Sequence, residues 1–503
     1  MAYSRPGVYI SERLLPAPLP AGVTANAAGA VVAPFAQGPE AVTLVNSWYE
    51  FTKNFGGYNA AYPATFGVAA FFNNGGRELY VQRLLSTDAS AASVDILTSG
   101  EDVVATVTSK NAGTDGNNLR VTIEAGTVED TYTLTLYKEG ITGTSTDVTD
   151  DLLLERYENI VFDDSTSSDY AETVINLVSP NITISNSDTG TPVSTVYPLT
   201  SGSNGTTPAS ADYTAYKDGD SSVFDRFSFL DRPLVLFLPA INATLNSGVA
   251  EVYNSAVSWA EANNGFVVAE TPEDETVANA ITFAASLSSS SNAAVYYPHL
   301  YIADPLGRGT GALRKIGPSG SVAGLYLTTD ATKGVFKAPA GIASPVLGVV
   351  AVEKSFTSTD LDSLNSGTSP VNPIRQIPGA GLAVMGARTL KQDGTANKYV
   401  NMRRSLIYIR KNLKNLTEFA IFENNDEKLW ALIRTRLGSF LNDYRNQGGL
   451  RGATAAQAYF VKCDAENNSD AQIANGEVHI QVGVALQYPA EFIVIDLSQK
   501  TLN

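Results

Sequence analysis

The sequence is poor in the residues that build metal sites and disulfides. Its 503 residues include one cysteine, Cys463, and two histidines, His299 and His479. A single cysteine excludes an internal disulfide, and this set has no spacing of the kind that binds zinc. We interpret Cys463 as a small buried hydrophobe and both histidines as packing or solvated strand residues. No metal and no cofactor is expected.

Long apolar runs are also missing. No stretch approaches the ~18 uninterrupted apolar residues of a membrane helix, and the best candidate, Val346–Val352, has the length of a buried strand. Arg5, Pro6, Glu12 and Arg13 stand where the apolar core of a secretion signal would lie. We therefore expect no membrane anchoring and no signal peptide.

Catalytic motifs are absent as well. The sequence has no Gly-x-x-x-x-Gly-Lys-Ser/Thr run and no Gly-x-Ser-x-Gly elbow. The glycine-rich segment Gly307–Gly311 is not set in the strand-to-helix frame with a downstream lysine that a phosphate loop needs, and it is predicted to be a loop. Three pairs of neighbouring acids occur, at Glu129-Asp130, Asp150-Asp151 and Asp163-Asp164. We interpret them as solvated charge and not as a glycosidase pair, so the sequence predicts a protein that is not an enzyme.

Positive charge is scarce and unevenly placed. The chain carries 34 basic and 51 acidic residues, a formal net charge of -17. Asp88–Ala215 has 20 acidic and 4 basic residues, whereas Arg375–Phe460 has 14 basic and 6 acidic residues. An acidic chain is a poor phosphate ligand, so we expect no nucleic-acid binding. The basic region is suited to contact another acidic protein.

The order of predicted elements indicates an α/β multidomain fold: α/β inner and middle domains, an inserted strand-rich outer domain and strand-like terminal arms. A chain of this length accommodates two to four domains. Between Pro233 and Ile302 strands alternate with helices, which predicts a parallel sheet with crossover helices. The predicted domains are residues 1–21 (N-terminal arm), 22–87 with 373–486 (inner), 88–215 (acidic insert), 216–372 (middle) and 487–503 (C-terminal arm).

Two helices are predicted in the C-terminal region. Apolar residues of the first recur at alternating spacings of three and four, at Tyr399, Met402, Leu406, Ile409, Leu413 and Leu416. The second has the stripe Leu429, Ile433, Leu437, Phe440 and Tyr444. We expect Asn425 to cap the second helix and Gly448 to end it.

The N-terminal segment has the pattern of an extended arm that docks at a distance from the rest of the chain. Residues Arg5–Ser11 alternate in the manner of a strand, and Pro16, Pro18 and Pro20 favour a stiff extended connector. Residues Glu12–Val23 reach at most ~40 Å at ~3.4 Å per residue. A frayed tail is the alternative, although a frayed tail has little use for an apolar strand at its tip.

Several segments, taken in their order along the chain, resemble the tail sheath family of contractile bacteriophages and related injection machines. They are Tyr3–Glu12, Gly38-Pro39, Phe55–Gly57, Phe71–Gly76 with Leu79–Arg83, Pro318–Gly324, Asp330, Gly334–Gly341, Gly386–Leu390, Tyr399–Arg404, Phe422–Asp426, Leu429-Trp430, Phe460–Asp464 and Pro489–Ile493. The first is similar to the family's opening Pro-Gly-Val-Tyr-x-x-Glu. Residues from about Asp88 to Ala293 show no such match, which fits a family whose outer domains vary.

The resemblance implies a structural subunit that polymerises as a helical sheath around a tail tube and contracts by subunit rearrangement. In that family both termini act as arms that add strands to a sheet of neighbouring copies. The matching arm residues here are Pro6, Gly7, Val8, Tyr9, Ile10, Phe492, Ile493, Val494 and Ile495. Contraction would then be a change between two packings of rigid bodies.

The implied partners are other copies of the chain, the tail tube protein, and the baseplate and tail terminator proteins. The implied location is the virion tail, assembled in the cytoplasm of the host bacterium. We hypothesise that Lys428, Arg434 and Arg436 of the second C-terminal helix face acidic tube subunits; an ordinary solvated helix face is the alternative. Two other functions stay open: the sheath of a bacteriocin or another contractile injection system, and a carbohydrate-binding or carbohydrate-acting protein that uses the acidic insert.

Overall fold

The structure is a computed structural model, and it describes residues 27–139, 151–187, 190–216, 222–245, 247–307, 309 and 311–491. The predicted arm residues Pro6, Gly7, Val8, Tyr9, Ile10, Phe492, Ile493, Val494 and Ile495 lie outside the described residues. Two compact units are present. The larger contains Ala27–Arg404 and residues 488–491, and the smaller contains Ser405–Gln487. The α/β multidomain fold class is confirmed.

Strands and helices are numbered in chain order over the described residues. The strands β1 to β20 are Ala28–Ala33, Thr43–Val45, Leu79–Arg83, Ala91–Leu97, Val103–Ala112, Leu119–Ala125, Tyr132–Lys138, Leu152–Ile160, Ile182–Asn186, Val196–Pro198, Leu234–Phe237, Phe266–Glu270, Ala293–Tyr297, Leu300–Ala303, Leu313–Ile316, Ala351–Val352, Val371–Ile377, Gly381–Val384, Tyr459–Lys462 and Gln481–Val484. The helices α1 to α13 are Trp48–Phe55, Ala64–Asn73, Ala171–Val178, Ser210–Thr214, Ile241–Thr244, Val249–Asn263, Val277–Ser286, Ser319–Lys333, Ser358–Asn365, Val400–Thr417, Glu427–Asn446, Ala455–Ala458 and Asp470–Ala474.

An eight-stranded sheet lies at the centre of the larger unit, in the order β18-β17-β13-β12-β11-β1-β3-β2. The strands from β17 to β3 in this order are parallel, and β18 and β2 are antiparallel edge strands. β1, β11, β12 and β13 are buried along their whole length. Strands covered on both faces read as continuous apolar runs. The predicted parallel sheet between Pro233 and Ile302 is therefore confirmed.

This sheet also draws on stretches that the predicted domain division kept apart. β1 and β3 come from residues 22–87, and β11 comes from residues 216–372. Nevertheless β1 pairs directly with both β3 and β11. Paired strands of one sheet share one core, so the limit drawn between these two stretches does not coincide with a limit of the sheet. The other domain limits stay predictions.

Helices cover both faces of the sheet. On one face, Leu236 of β11 shares a core with Tyr253 of α6. On the other face, Phe71 of α2 stacks on Phe237 of β11, with ring centroids 5.3 Å apart. The alternation of Leu236 and Phe237 between the two faces follows from the two-residue period of a strand. The sheet is thus the middle of three layers.

Glycines bring α2 and α8 into close contact. A Cβ atom on Gly320 would lie 2.1 Å from the carbonyl oxygen of Gly67, and one on Gly324 would lie 2.3 Å from the carbonyl oxygen of Phe71. Any larger residue would push the helices apart, because real Cβ atoms do not approach so closely. The glycines of Pro318–Gly324 therefore set the distance between these two helices.

The acidic insert forms two antiparallel sheets over one core, in the orders β4-β5-β9 and β10-β6-β7-β8. The two sheets agree with the strand-rich insert that the sequence predicted, although the apolar alternation is weak in β4 and β8. β8 is an edge strand, and its charged residues Glu155, Arg156 and Glu158 obscure the apolar pattern. Small residues such as Ala91 and Ser93 do the same in β4.

Arg83, at the end of β3, connects the insert to the sheet through hydrogen bonds. Its side chain is fully buried and donates hydrogen bonds to the carbonyl oxygens of Gly38 and Ala112, at 2.9 and 2.8 Å, and to Asn204 Oδ1, at 2.9 Å. Burial lowers the pKa of Arg83, and the charge of Glu40 opposes that shift. Ala112 and Asn204 belong to the insert, so a single cation fixes both of its connections.

The segment Val346–Val352 is not a buried strand, and that prediction is wrong. Only Ala351–Val352 is a strand, β16. Leu347 and Val350 are 53% and 58% exposed. Gly348 has a φ of 74°, which turns the chain between them. Leu347 and Val350 are therefore presented to solvent, whereas Val346 is buried.

Candidate assembly surface

Helix α11 buries the stripe that its sequence predicts. Leu429, Ile433, Leu437, Phe440 and Tyr444 are all buried. In α10 and the turn before it, Tyr399, Met402, Ile409 and Leu416 are buried, and Leu406 and Leu413 are half-buried. The 3.6-residue period explains both patterns, since it brings every third or fourth residue to one face.

Asp426 caps α11, and the prediction that Asn425 does so is wrong by one residue. Asp426 Oδ1 accepts hydrogen bonds from the backbone N–H groups of Lys428 and Leu429, at 2.9 and 3.0 Å. Asn425 Oδ1 instead accepts the indole N–H of Trp430, at 2.8 Å. A carboxylate gains more than an amide at the positive end of the helix dipole, which favours Asp426 as the cap.

The three cations predicted to face a tube lie along α11 in different surroundings. Lys428 is exposed and has no ion-pair partner among the described residues. Arg434 is half-buried and pairs with Glu427, at 2.6 Å. The guanidinium of Arg436 lies over the ring of Phe419, 3.7 Å from its centroid. Two of the three therefore have contacts within the chain, and their role toward a tube stays a prediction.

β19 and β20 form a separate two-stranded sheet in the smaller unit. Tyr459 pairs with Val484, and Lys462 pairs with Gln481. Within the described part of the chain no other strand joins this sheet. A two-stranded sheet is marginal in water and leaves backbone donors and acceptors along its edges. Its geometry suits the addition of further strands.

An ion pair fixes the chain immediately before the predicted C-terminal arm. Arg388 binds Glu491 through two hydrogen bonds, at 3.0 and 2.7 Å. Tyr399 adds a third hydrogen bond to Glu491, at 3.3 Å, and packs edge-on against Tyr488. The paired Glu491 raises the pKa of Arg388. Sequence reasoning missed this anchor, because 103 residues separate Arg388 from Glu491.

Arg404 and Asp330 form a buried ion pair between α10 and α8 in the larger unit. The guanidinium donates two hydrogen bonds to the carboxylate, at 2.9 and 2.5 Å, and lies over the ring of Tyr326. Burial raises the pKa of Asp330, and the charge of Arg404 opposes that shift. The pair fixes the first turn of α10.

A second buried carboxyl lies at the carboxyl edge of the parallel sheet. Glu270, at the end of β12, is fully buried and accepts a hydrogen bond from the N–H of Ala240, at 2.9 Å. It also accepts the N–H and the hydroxyl of Ser319, at 3.2 and 2.5 Å. Burial raises the pKa of Glu270, and the charge of His299 opposes the shift. These bonds connect β12 to the start of α8, which gives Glu270 a structural role.

The residues considered for metal or thiol chemistry occupy ordinary surroundings. His299 is buried, with Nε2 2.9 Å from the carbonyl oxygen of Thr271, and His479 is half-exposed beside Glu477. Cys463 is buried, as predicted, and burial raises the pKa of its thiol. Across the described ranges no group of three or more His, Cys, Asp or Glu is placed to hold a metal ion. No helix in that part of the chain is long and apolar enough to cross a membrane.

The region with these helices and this hairpin is similar to known proteins. Residues 392–500 match the phage tail sheath C-terminal domain family. The tail sheath protein of Vibrio phage KVP40 is 24% identical over 179 residues, and that of Enterobacteria phage T4 is 24% identical over 157 residues. The C-terminal region is therefore similar to contractile tail sheath proteins. These alignments cover 35% and 31% of this chain but only 26% and 23% of the phage proteins, about a quarter of their length.

Solved structures of sheath proteins have a similar fold over most of this chain. The PVC sheath of an extracellular contractile injection system, in its contracted state, has a TM-score of 0.58 at 21% identity and covers 99% of both chains. The helical sheath of the anti-feeding prophage, also contracted, has the same TM-score and identity and covers 99% of this chain and 100% of that one. A sheath tail protein from Listeria innocua has a TM-score of 0.58 at 12% identity, with 92% and 96% covered. These similarities concern the fold.

Proposed function

We propose that copies of this chain polymerise into a helical sheath around an inner tube, and that the sheath contracts when its subunits rearrange. The match of residues 392–500 to the sheath C-terminal domain family carries the proposal. That segment contains all of α10 and α11 and the β19–β20 hairpin. Rearrangement between two packings of rigid bodies consumes no nucleotide, which agrees with a sequence that has no phosphate-binding loop. The proposed role is structural and not catalytic.

We propose that the terminal arms hold neighbouring copies together by adding strands to the β19–β20 sheet. The arm segments are Pro6–Ile10 and Phe492–Ile495. The edges of a two-stranded sheet support this proposal, since they offer backbone hydrogen bonds to an added strand. Each such bond contributes about 1 kcal/mol net. The Arg388–Glu491 pair adds support, because it fixes the point from which the C-terminal arm starts.

The proposed partners are other copies of the chain, a tail tube protein, and the baseplate and tail terminator proteins, in a virion tail assembled in a bacterial cytoplasm. Nucleic acid and membrane anchoring have no part in the proposal. The sheath of a contractile injection system is the second candidate, because solved sheaths of such machines match 99% of the chain. A carbohydrate-related role for the insert has less support. Its aromatic residues, Tyr132, Tyr137, Tyr157, Phe162, Tyr170, Tyr197 and Tyr213, are buried or half-buried, so they form no exposed platform.

Electron microscopy of the purified, concentrated chain tests the proposal. We expect hollow striated tubes, formed alone or on addition of the tube protein. Deletion of residues 1–12 should abolish them, because it removes the N-terminal strand. Val8→Pro should weaken assembly in the same way, since proline removes a backbone donor from the added strand. Ser4→Pro, outside the predicted strand, is the matched control.

The outcomes separate the sheath role from the arm mechanism. Tubes that survive both the deletion and Val8→Pro would retain the sheath role and refute the role of the N-terminal arm. Failure of the wild-type chain to polymerise with tube and baseplate present would refute the sheath role itself.

A further inference from the structure

A small cavity lies in the larger unit at the carboxyl edge of the parallel sheet, where β11, β12 and β13 end. Its volume is about 60 Å³. Its lining includes Ala240, Glu270 and His299, which end or closely follow these three strands. In open α/β sheets this edge is where ligands bind. We name it the sheet-edge cavity.

His299 contributes an unsatisfied ring nitrogen to this lining. The residue is 5% exposed, and its Nε2 lies 2.9 Å from the carbonyl oxygen of Thr271. A carbonyl oxygen only accepts, so Nε2 carries a proton and Nδ1 of the neutral ring is an acceptor. Nδ1 is buried and has no hydrogen-bond partner among the described residues. A buried acceptor left unpaired is costly, which points to a donor supplied by another molecule.

Both cations in the lining of the cavity are already paired. The guanidinium of Arg314 donates two hydrogen bonds to the carboxylate of Asp304, at 3.0 and 3.1 Å. Lys315 contacts Asp274 at 2.7 Å and Glu353 at 3.1 Å. Burial lowers the pKa of Lys315, but the hydrogen bonds to Asp274 and Glu353 outweigh burial and raise it overall. Neither cation is therefore available to bind an anion.

Two carboxyls in the lining have room for a further donor. Glu270 Oε1 accepts one hydrogen bond, from the N–H of Ala240, and a carboxylate oxygen can accept two. Glu273 lies on the solvent side of the cavity, with 52% of its side chain exposed. With the three carboxylates that pair with Arg314 and Lys315, five carboxylates surround two cations, so the cavity favours a positively charged ligand. Across the described ranges no group of three acidic, His or Cys residues is placed to hold a metal ion, which favours an organic cation.

We propose that the sheet-edge cavity binds a primary alkylammonium group, carried by a free small amine or by a lysine of another copy. An ammonium has three N–H donors, and the acceptors that receive them are His299 Nδ1 and the carboxyls of Glu270 and Glu273. Phe66 and Pro239 give the lining apolar atoms for the adjoining methylene groups. The cavity is smaller than the ~150 Å³ that binds benzene, so it holds the end of an alkyl chain and not a ring. The site lies within one chain and does not depend on the proposed function.

Thermal unfolding of the dispersed full-length chain in ethylamine hydrochloride tests the site. Ethylamine should raise the melting temperature in a saturable manner, because it binds the folded chain and not the unfolded chain. Tetramethylammonium chloride at the same ionic strength is the matched salt, since it has the same charge and no N–H donor. It should leave the melting temperature unchanged.

Two variants assign the binding to this cavity. Glu273→Gln should raise the dissociation constant of ethylamine at least fivefold, because it removes a carboxylate from the lining. Glu275→Gln is the matched control, since Glu275 is two residues away and does not line the cavity; its dissociation constant should be that of the wild type. His299→Phe keeps a ring and removes the Nδ1 acceptor, so it should abolish binding. If His299→Phe did not fold, Glu273→Gln with its control would decide alone.

The assembled polymer distinguishes the two sources of the ammonium group. If the occupant is a free amine, radiolabelled ethylamine should bind the polymer and the dispersed chain equally, and the critical concentration for polymerisation should not change. If the occupant is a lysine of another copy, the polymer should exclude the label, and ethylamine should raise the critical concentration. Both results support an ammonium site.

Other results would overturn the inference. Equal effects of ethylamine and tetramethylammonium would show that the ion acts as a salt and not as a hydrogen-bond donor. An unchanged dissociation constant in Glu273→Gln would place any binding elsewhere on the chain. Because these measurements use the dispersed chain, such failures would leave the proposed sheath function intact.

Discussion

The two buried carboxyls of the larger unit are stabilised in different ways. Asp330 faces the full positive charge of Arg404. Glu270 accepts hydrogen bonds from neutral donors, two from Ser319 and one from Ala240. Burial raises the pKa of both carboxyls, but Asp330 has a charged hydrogen-bond partner that favours its ionised form, whereas the hydrogen-bond donors of Glu270 are neutral. Substitutions at the two positions therefore have different consequences.

Asp330→Asn should destabilise the larger unit by about 3–5 kcal/mol, because it leaves the buried Arg404 without a countercharge. The measurement is the free energy of unfolding in chemical denaturant. Asp304→Asn is the matched control, since its partner Arg314 is 25% exposed at the side chain and water can replace the lost carboxylate. If Asp330→Asn and Asp304→Asn lowered the free energy of unfolding equally, burial of the ion pair would not explain the cost of Asp330→Asn.

Glu270 should make stability depend on pH. Folding raises the pKa of Glu270 above its ordinary value of 4.5, so the folded chain holds this proton more tightly than the unfolded chain. The contribution to stability is complete below pH 4.5 and is lost as the pH rises through the folded pKa. The difference in unfolding free energy between the wild type and Glu270→Gln should therefore fall as the pH rises above about 4.5. A difference that does not change with pH would contradict this assignment.

Helix α11 has both a buried face and a solvent-exposed first turn. Its buried stripe packs within the smaller unit, and its first turn presents Lys428 to solvent. Arg434 and Arg436 are less available to contact another molecule, because Arg434 pairs with Glu427 and Arg436 packs on the ring of Phe419. Charge reversal at Arg436 would also remove its contact with the ring of Phe419, so Lys428 is the better position for a test.

Lys428→Glu should weaken binding of the sheath to the tube about tenfold, if α11 faces an acidic tube surface. The fold should not suffer, since a carboxylate in the first turn of a helix is favoured by the helix dipole. Co-sedimentation with purified tubes measures the effect. Lys53→Glu, at an exposed site in the larger unit, is the control. Unchanged binding by Lys428→Glu would exclude this position from the tube interface.

At the scale of the whole molecule, local patterns predicted elements and missed long-range contacts. The two-residue and 3.6-residue periods identified the alternating strands and helices between Pro233 and Ile302 and the buried stripe of α11, because burial periodicity is local. Starts of helices were less certain: Asp426, and not Asn425, caps α11. The pairing of β1 with β11 depends on contacts between distant parts of the chain, which periodicity does not record. For the candidate surface, the stripe of α11 was predicted and the Arg388–Glu491 anchor was not.

The hydrogen bonds donated by Arg83 change the expected effect of deleting the acidic insert. Its composition alone suggests a peripheral domain whose deletion would leave the sheet intact. Two of the acceptors of Arg83, Ala112 and Asn204, would nevertheless leave with it. A guanidinium would then remain in the interior with only part of its hydrogen bonding, which is costly. Removal of the insert from this chain therefore also requires a new residue at position 83, which lies outside the insert.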